Sequence, residues 1–197
     1  MKVLNVFAHA DDEVIFGWPY TFESCENHLL TISSHKDREV KHPLYSVASE
    51  LGISDVRFLD IDTNFSLLPR RYVDIKFLDA VYIIKSELDI AISEVKPDFI
   101  FTHNPYGEYG HPDHRLIFDI VARTNYPIRY TDILEEGYCH LGGKPKYMDV
   151  FFKNKVGHRK LDYELFEKCR EIYKSYNSWT WKDNVSRECN IYESNSR

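Results

Sequence analysis

Two short runs hold most of the functional information of this 197-residue chain, Ala8-His9-Ala10-Asp11-Asp12-Glu13 and Gly110-His111-Pro112-Asp113-His114. A catalytic zinc ion takes about three protein ligands from histidine and carboxylate groups and leaves one position open to water. His9 and Asp12 stand three apart across an expected strand-to-helix turn, and His111 and His114 stand three apart on an expected helix face. His9, Asp12 and His114 would supply two imidazoles and one carboxylate, a set that iron(II) or cobalt(II) would also accept. Zinc held there lowers the pKa of its water to about 7, which makes a nucleophile at neutral pH. Asp11, beside that water but off the metal, suits a general base. His111 would polarise a carbonyl or protonate a leaving amine. Asp113 would hydrogen-bond that imidazole and favour its charged form, and Tyr109 would donate to an oxyanion. The pattern is that of metal-assisted hydrolysis.

These side chains can converge only if the elements beneath them bring two distant runs to one edge. Lys2 to His9 reads as a buried strand running into the first motif, with Asp11 and Asp12 in the first turn of a helix. A second strand is expected over His28–Ser34, a helix over His42–Leu51 stopped by Gly52, and a third strand over Val56–Leu59. From Tyr72 to Val95, apolar residues at Val73, Phe77, Val81, Ile84, Leu88, Ala91 and Val95 mark one face of a long helix that Pro97 ends. Asp98–His103 is the next strand, and a helix begun near His111 continues to Arg123. Tyr126–Tyr130 and Met148–Phe152 are strand candidates, Leu161–Tyr176 is a last amphipathic helix, and the polar stretch of about 183–197 reads as a loosely ordered tail. The alternation predicts one α/β domain over residues 1–197, three-layered and Rossmann-like, with a mostly parallel sheet. Both motifs then fall at strand ends, the edge where open α/β sheets bind ligands.

Composition narrows the partners. Hydrophobic and charged fractions of 43% and 28% are those of an ordinary globular domain, and a net charge of -6 argues against nucleic acid as a partner. No window approaches the roughly 20 apolar residues of a membrane span, so no membrane partner is expected. The apolar stretch Val3–Phe7 is short for a secretory signal and is broken by Asn5, which predicts a cytoplasmic address. Cys25, Cys139, Cys169 and Cys189 lack C-x-x-C spacing and read as reduced, structural thiols.

The two motifs resemble the signatures of the LmbE-like (PIG-L) family of zinc-dependent de-N-acetylases, usually A-H-P-D-D-E followed by H-P-D-H or H-x-D-H after a Thr-His strand. Both occur here in order, with Thr102-His103-Asn104 upstream of the second. The resemblance implies zinc on His9, Asp12 and His114, a general base at Asp11, and an electrophilic or acid partner at His111. It makes Asp113 the modulator of His111 and Tyr109 a mobile oxyanion donor, acting on an N-acetylated sugar or related metabolite. Lys168 and Tyr176-Asn177-Ser178 are similar to the family's closing helix. Ala10 stands where the family has Pro, Ser178-Trp179 where it has Ser-Gln, and Arg38 is the nearest match to its substrate-binding Arg.

Away from the motifs, Asp62 is a candidate for sugar hydroxyls, and His103 and Asn104 for the pocket lining. His28, His35, His42, His140 and His158 read as ordinary residues, Lys36-Asp37-Arg38 as a solvated loop, and Trp179 and Trp181 as packing against the sheet. Trp18, Pro19 and Tyr20 would wall a sugar site or fill the core. Two other functions compete: hydrolysis of another bond, such as a phosphoester, and non-catalytic binding of a sugar nucleotide. The second is weakened because no G-x-G-x-x-G follows the first strand.

Overall fold

Alternation along the first strand builds the molecule in three layers. The computed structural model describes residues 1–33, 39–61, 75–134, 152–182 and 185–194. In chain order, β1 (Lys2–His9) is followed by α1 (Asp12–Ile15), α2 (Trp18–Thr21), β2 (Glu26–Ser33), α3 (Lys41–Glu50) and β3 (Asp55–Ile61). Next come α4 (Ile75–Val95), β4 (Phe99–Thr102), α5 (Pro112–Val121) and β5 (Ile128–Thr131), then β6 (Lys155–Lys160), α6 (Tyr163–Ser175) and β7 (Glu188–Ser194). Val3 and Phe7 of β1 join one core with Leu29, Phe101, Trp18, Leu44, Phe166 and Tyr173. Leu4, Val6 and Ala8 point the other way, into a second core with Ile84, Leu88 and Ala91 of α4 and Ile117 and Val121 of α5. A strand whose two faces are both covered reads as apolar throughout, as β1 does. Its one polar interior residue, Asn5, pairs its amide with the Asn27 side chain at 3.1 Å.

The strands lie in the order β3-β2-β1-β4-β5-β7-β6. β1 runs parallel to β2 and to β4, and β5 is parallel to β4. After β3 the chain crosses to the far side of β1 through α4, so the strand order reverses between β1 and β4. Open α/β sheets leave a crevice at such a point, beyond the carboxyl ends of the strands. The two motifs emerge from these two strands.

Where the sequence suggested a loose tail, residues 188–194 form β7, antiparallel to both β5 and β6. Cys189 and Ile191 alternate into the core, and the Asp132 carboxylate accepts both the backbone N–H and the side-chain amide of Asn190. β6 was not expected either, because its side chains are mostly exposed and show no apolar alternation. The candidate strand over 148–152 lies outside the described residues except for Phe152, which packs against Tyr130 and Tyr192. Cys25, Cys169 and Cys189 are free thiols; Cys139, with His35, Lys36, Asp37, Arg38, Asp62 and His140, is outside the described residues. Trp18 and Tyr20 are core residues. No helix among the described residues is long and apolar enough to cross a membrane.

Candidate metal centre

The β1–α1 turn is short and made of acids that fold back on their own backbone. His9 donates its N–H to Asp12 Oδ2 at 2.8 Å, and Asp11 donates its N–H to Glu13 Oε2 at 3.0 Å. Asp11, the residue capping α1, takes a left-handed conformation with φ 99°. Such a backbone costs a non-glycine residue about 1–3 kcal/mol and persists only where its surroundings hold it. Here Glu13 is fully buried and its Oε1 accepts the Tyr173 hydroxyl of α6 at 2.5 Å.

The loop from β4 to α5 is longer and holds itself. Asn104 Oδ1 accepts the N–H groups of Tyr106 and Glu108, and its Nδ2 donates to the Ile133 carbonyl at 2.9 Å. Gly107 has φ 75°, and a Cβ there would sit 2.8 Å from the His111 carbonyl oxygen, so the turn excludes any side chain. His111 caps α5, its Nδ1 accepting the Asp113 N–H at 3.2 Å. One turn in, His114 faces back towards β1.

Three atoms from the two motifs form a nearly equilateral triangle. His9 Nδ1 lies 3.3 Å from Asp12 Oδ2 and 3.3 Å from His114 Nε2, which is itself 3.5 Å from Asp12 Oδ2. Ligands bound to zinc at 2.0–2.1 Å with tetrahedral angles stand about 3.3–3.4 Å apart, so the donor set fits that metal. Each imidazole is backed by its own carboxylate. His9 Nε2 is 3.1 Å from Asp113 Oδ2, and His114 Nδ1 is 2.7 Å from Glu108 Oε2. Protons on those outer nitrogens leave both inner lone pairs directed at the triangle, the arrangement that orients metal-binding histidines.

The charges agree. Burial opposes a charged His9, but Asp113 and Asp12 outweigh it and push the imidazole up to about 10. Burial opposes ionisation of Asp12 and Glu108 as well. The His114 and His103 rings nevertheless hold Asp12 well below the ordinary carboxylate range, and His103 and His114 hold Glu108 down at about 2. Asp11 goes the other way, raised by burial and by the charge of Asp12.

Not every expected site residue stands where it was expected. The Asp113 carboxylate is found on His9, and it is its backbone N–H that meets His111. Burial, with the neighbouring His114 and His9 rings, pushes His111 down to about 2, so Asp113 does not keep it charged. A neutral His111 whose Nδ1 accepts an N–H carries its proton on Nε2. One of its ring nitrogens lies within 4.8 Å of ligand atoms of His9 and His114. His103 comes within 3.4 Å of Asp12 Oδ2, but its Nε2 accepts the Ala8 N–H at 3.0 Å and its Nδ1 meets Glu108. Its lone pair is engaged, so it supports the site from behind. Asn104 is fully buried, its amide bonded to the Ile133 carbonyl and to its own loop.

Tyr109 is half-buried, its ring 5.4 Å from those of His111 and His114, and burial beside Asp12 raises its hydroxyl above the ordinary value, keeping it a donor. Trp181, read as sheet packing, does pack against the core that holds Phe7 and Phe101, and its ring lies 5.1 and 5.4 Å from those of Tyr109 and Phe16. Glu108 and Thr180 were missed altogether. A lone Glu in a Gly-rich loop reads as solvated, and a Thr in a polar stretch carries no periodic signal. Thr180 reaches Asp11 Oδ2 through its hydroxyl and its N–H.

Known proteins share this architecture. The chain is 27% identical over 150 residues to a 1D-myo-inositol 2-acetamido-2-deoxy-alpha-D-glucopyranoside deacetylase of Kribbella flavida, covering 57% of this chain and 50% of that protein. It thus spans about half the length of the curated relative. Two solved structures share the fold over the whole of both chains. A deacetylase–bog complex from the biosynthesis pathway of teicoplanin has a TM-score of 0.65 at 13% identity, and the zinc inhibited form of teicoplanin deacetylase 0.63 at 12%. Residues 4–125, more than half of the sequence, match the family described as GlcNAc-PI de-N-acetylase, and the chain belongs to this PIG-L family.

Proposed function

We propose that this chain is a metal-dependent de-N-acetylase, hydrolysing the amide of an N-acetylated amino sugar or sugar-containing metabolite to acetate and a free amine. The observation that carries the reading is the triangle of His9, Asp12 and His114, each imidazole backed by a carboxylate, with Asp11 beside it. A zinc ion held by these residues would polarise an acyl oxygen and acidify a water molecule. Asp11, raised by burial, is the group that accepts the proton of the attacking water and returns it to the departing nitrogen. His111, neutral with its proton on Nε2, and the Tyr109 hydroxyl are the donors for the oxyanion. The relatives' names support an N-acetylated sugar as substrate.

A paired-metal phosphoesterase is disfavoured, because the candidate ligand groups among the described residues, His9-His111-His114 and Asp12-His103-His114, both draw on His114 and would compete for one ion. The test is acetate and amine release from a panel of N-acetylated sugars, with metal content measured on the same sample. Release that a chelator stops and zinc restores is expected; bound metal with no release from any of them would reject this substrate class.

A further inference from the structure

The stretch after α6 lies outside the residues that match the family, yet it reaches the proposed base. Ser178 is fully buried and anchors the stretch, its hydroxyl donating to the Glu39 carbonyl and its N–H to that of Tyr173. Trp179 packs on Phe166 and Tyr173, and Trp181 packs on Phe16 and Tyr109. Thr180 is therefore pinned from both sides. It places its hydroxyl 2.5 Å and its N–H 3.3 Å from one atom, Asp11 Oδ2.

We propose that Thr180 is a positioning residue for Asp11: its two donors hold Oδ2 and leave Oδ1 as the oxygen that takes the proton. Asp11 needs such a partner. It is followed directly by Asp12 and Glu13, and its backbone is strained at φ 99°. Among the described residues, no side chain other than Thr180 donates to it. Two donors on one oxygen fix the plane of the carboxylate, and Oδ1 has no protein partner among the described residues. The inference rests on the reading of Asp11 as the base.

Thr180→Val keeps the shape and the backbone N–H but removes the hydroxyl, whereas Thr180→Ser keeps the donor. In crystal structures of the three proteins, the Asp11 carboxylate is expected to leave its position in Thr180→Val and to keep it in Thr180→Ser. With N-acetylglucosamine as probe, kcat is expected to fall about 10–100-fold in Thr180→Val at unchanged KM and zinc content, and to recover in Thr180→Ser. If Thr180→Val fails to fold, Thr180→Ala poses the same question. An unmoved Asp11 in the donor-less variant, or an unchanged kcat in an active background, overturns the proposal. If the wild type does not turn over the probe, that counts against the proposed substrate alone, and the Asp11 positions still decide the role of Thr180.

Discussion

The two turns that build the metal centre are stabilised in opposite ways. The β4–α5 loop is supported from within: Asn104 binds the N–H groups of residues two and four places on, and Glu108 bonds both His103 and His114. The β1–α1 turn adds to its own acid–backbone bonds support from far away in sequence, by Tyr173 through Glu13 and by Thr180 on Asp11. The long loop has Gly107, Glu108 and Gly110 at positive φ, with Glu108 at 54°, whereas the short turn holds Asp11 at 99°. A turn that stores strain in a reactive residue needs outside contacts to over-determine it. The His114 ligand is thus backed by its own loop, and the base is held by the C-terminal part of the chain.

The sharpest way to break this contrast is to separate base from ligands. Asp11→Asn should lower turnover by about 10²–10⁴-fold while zinc stoichiometry stays that of the wild type. His114→Ala should lose metal and turnover together, and retained stoichiometric metal would remove it from the ligand set. Next come the two supporting carboxylates. Glu108→Gln and Asp113→Asn should each weaken zinc affinity by about 10–100-fold in chelator competition, with Glu108→Gln the larger because two imidazoles lean on it. The reverse order would mean that the β1 side governs the ligand frame.

Gly107→Ala probes the self-supporting loop. The new Cβ meets the His111 carbonyl, and the φ of 75° disfavours any side chain, so the cost should be about 1–3 kcal/mol in urea denaturation. An unchanged midpoint would show that the loop shifts freely. The smallest effect is expected at Glu13, which burial pushes up to about 7. The folded state then holds a proton that the unfolded state has released, so stability falls as pH rises from the ordinary glutamate range to about 7 and levels off above. Glu13→Gln, able to accept from Asp11 and donate to Tyr173, should flatten that part of the metal-free protein's pH profile.

Much of the site was legible because its chemistry is encoded in short spacings. His9 and Asp12, like His111 and His114, bring their ligands together within one turn, and the apolar run of β1 marks the strand that delivers the first pair. The long face of α4 and its stop at Pro97 were equally plain, since period and breaker are both local signals. The partner of Asp113 was misread because neighbours three apart on a helix suggest each other, while the pairing with His9 spans 104 residues. β7 was misread for a related reason: its residues are polar on one face and gain their order only by filling the space between β5 and β6.

The sequence by itself determined the donor types, the two motifs and the parallel α/β framework, because each depends on residue identity and short-range periodicity. Only the tertiary structure decided which carboxylate stands behind which imidazole, that His103 is spent on Ala8, and that Thr180 reaches Asp11. Apart from Glu108 behind His114, those are contacts between segments tens of residues or more apart. They follow from the reversal of strand order between β1 and β4 and from the packing of α6 over the β1–α1 turn, and no local pattern carries either.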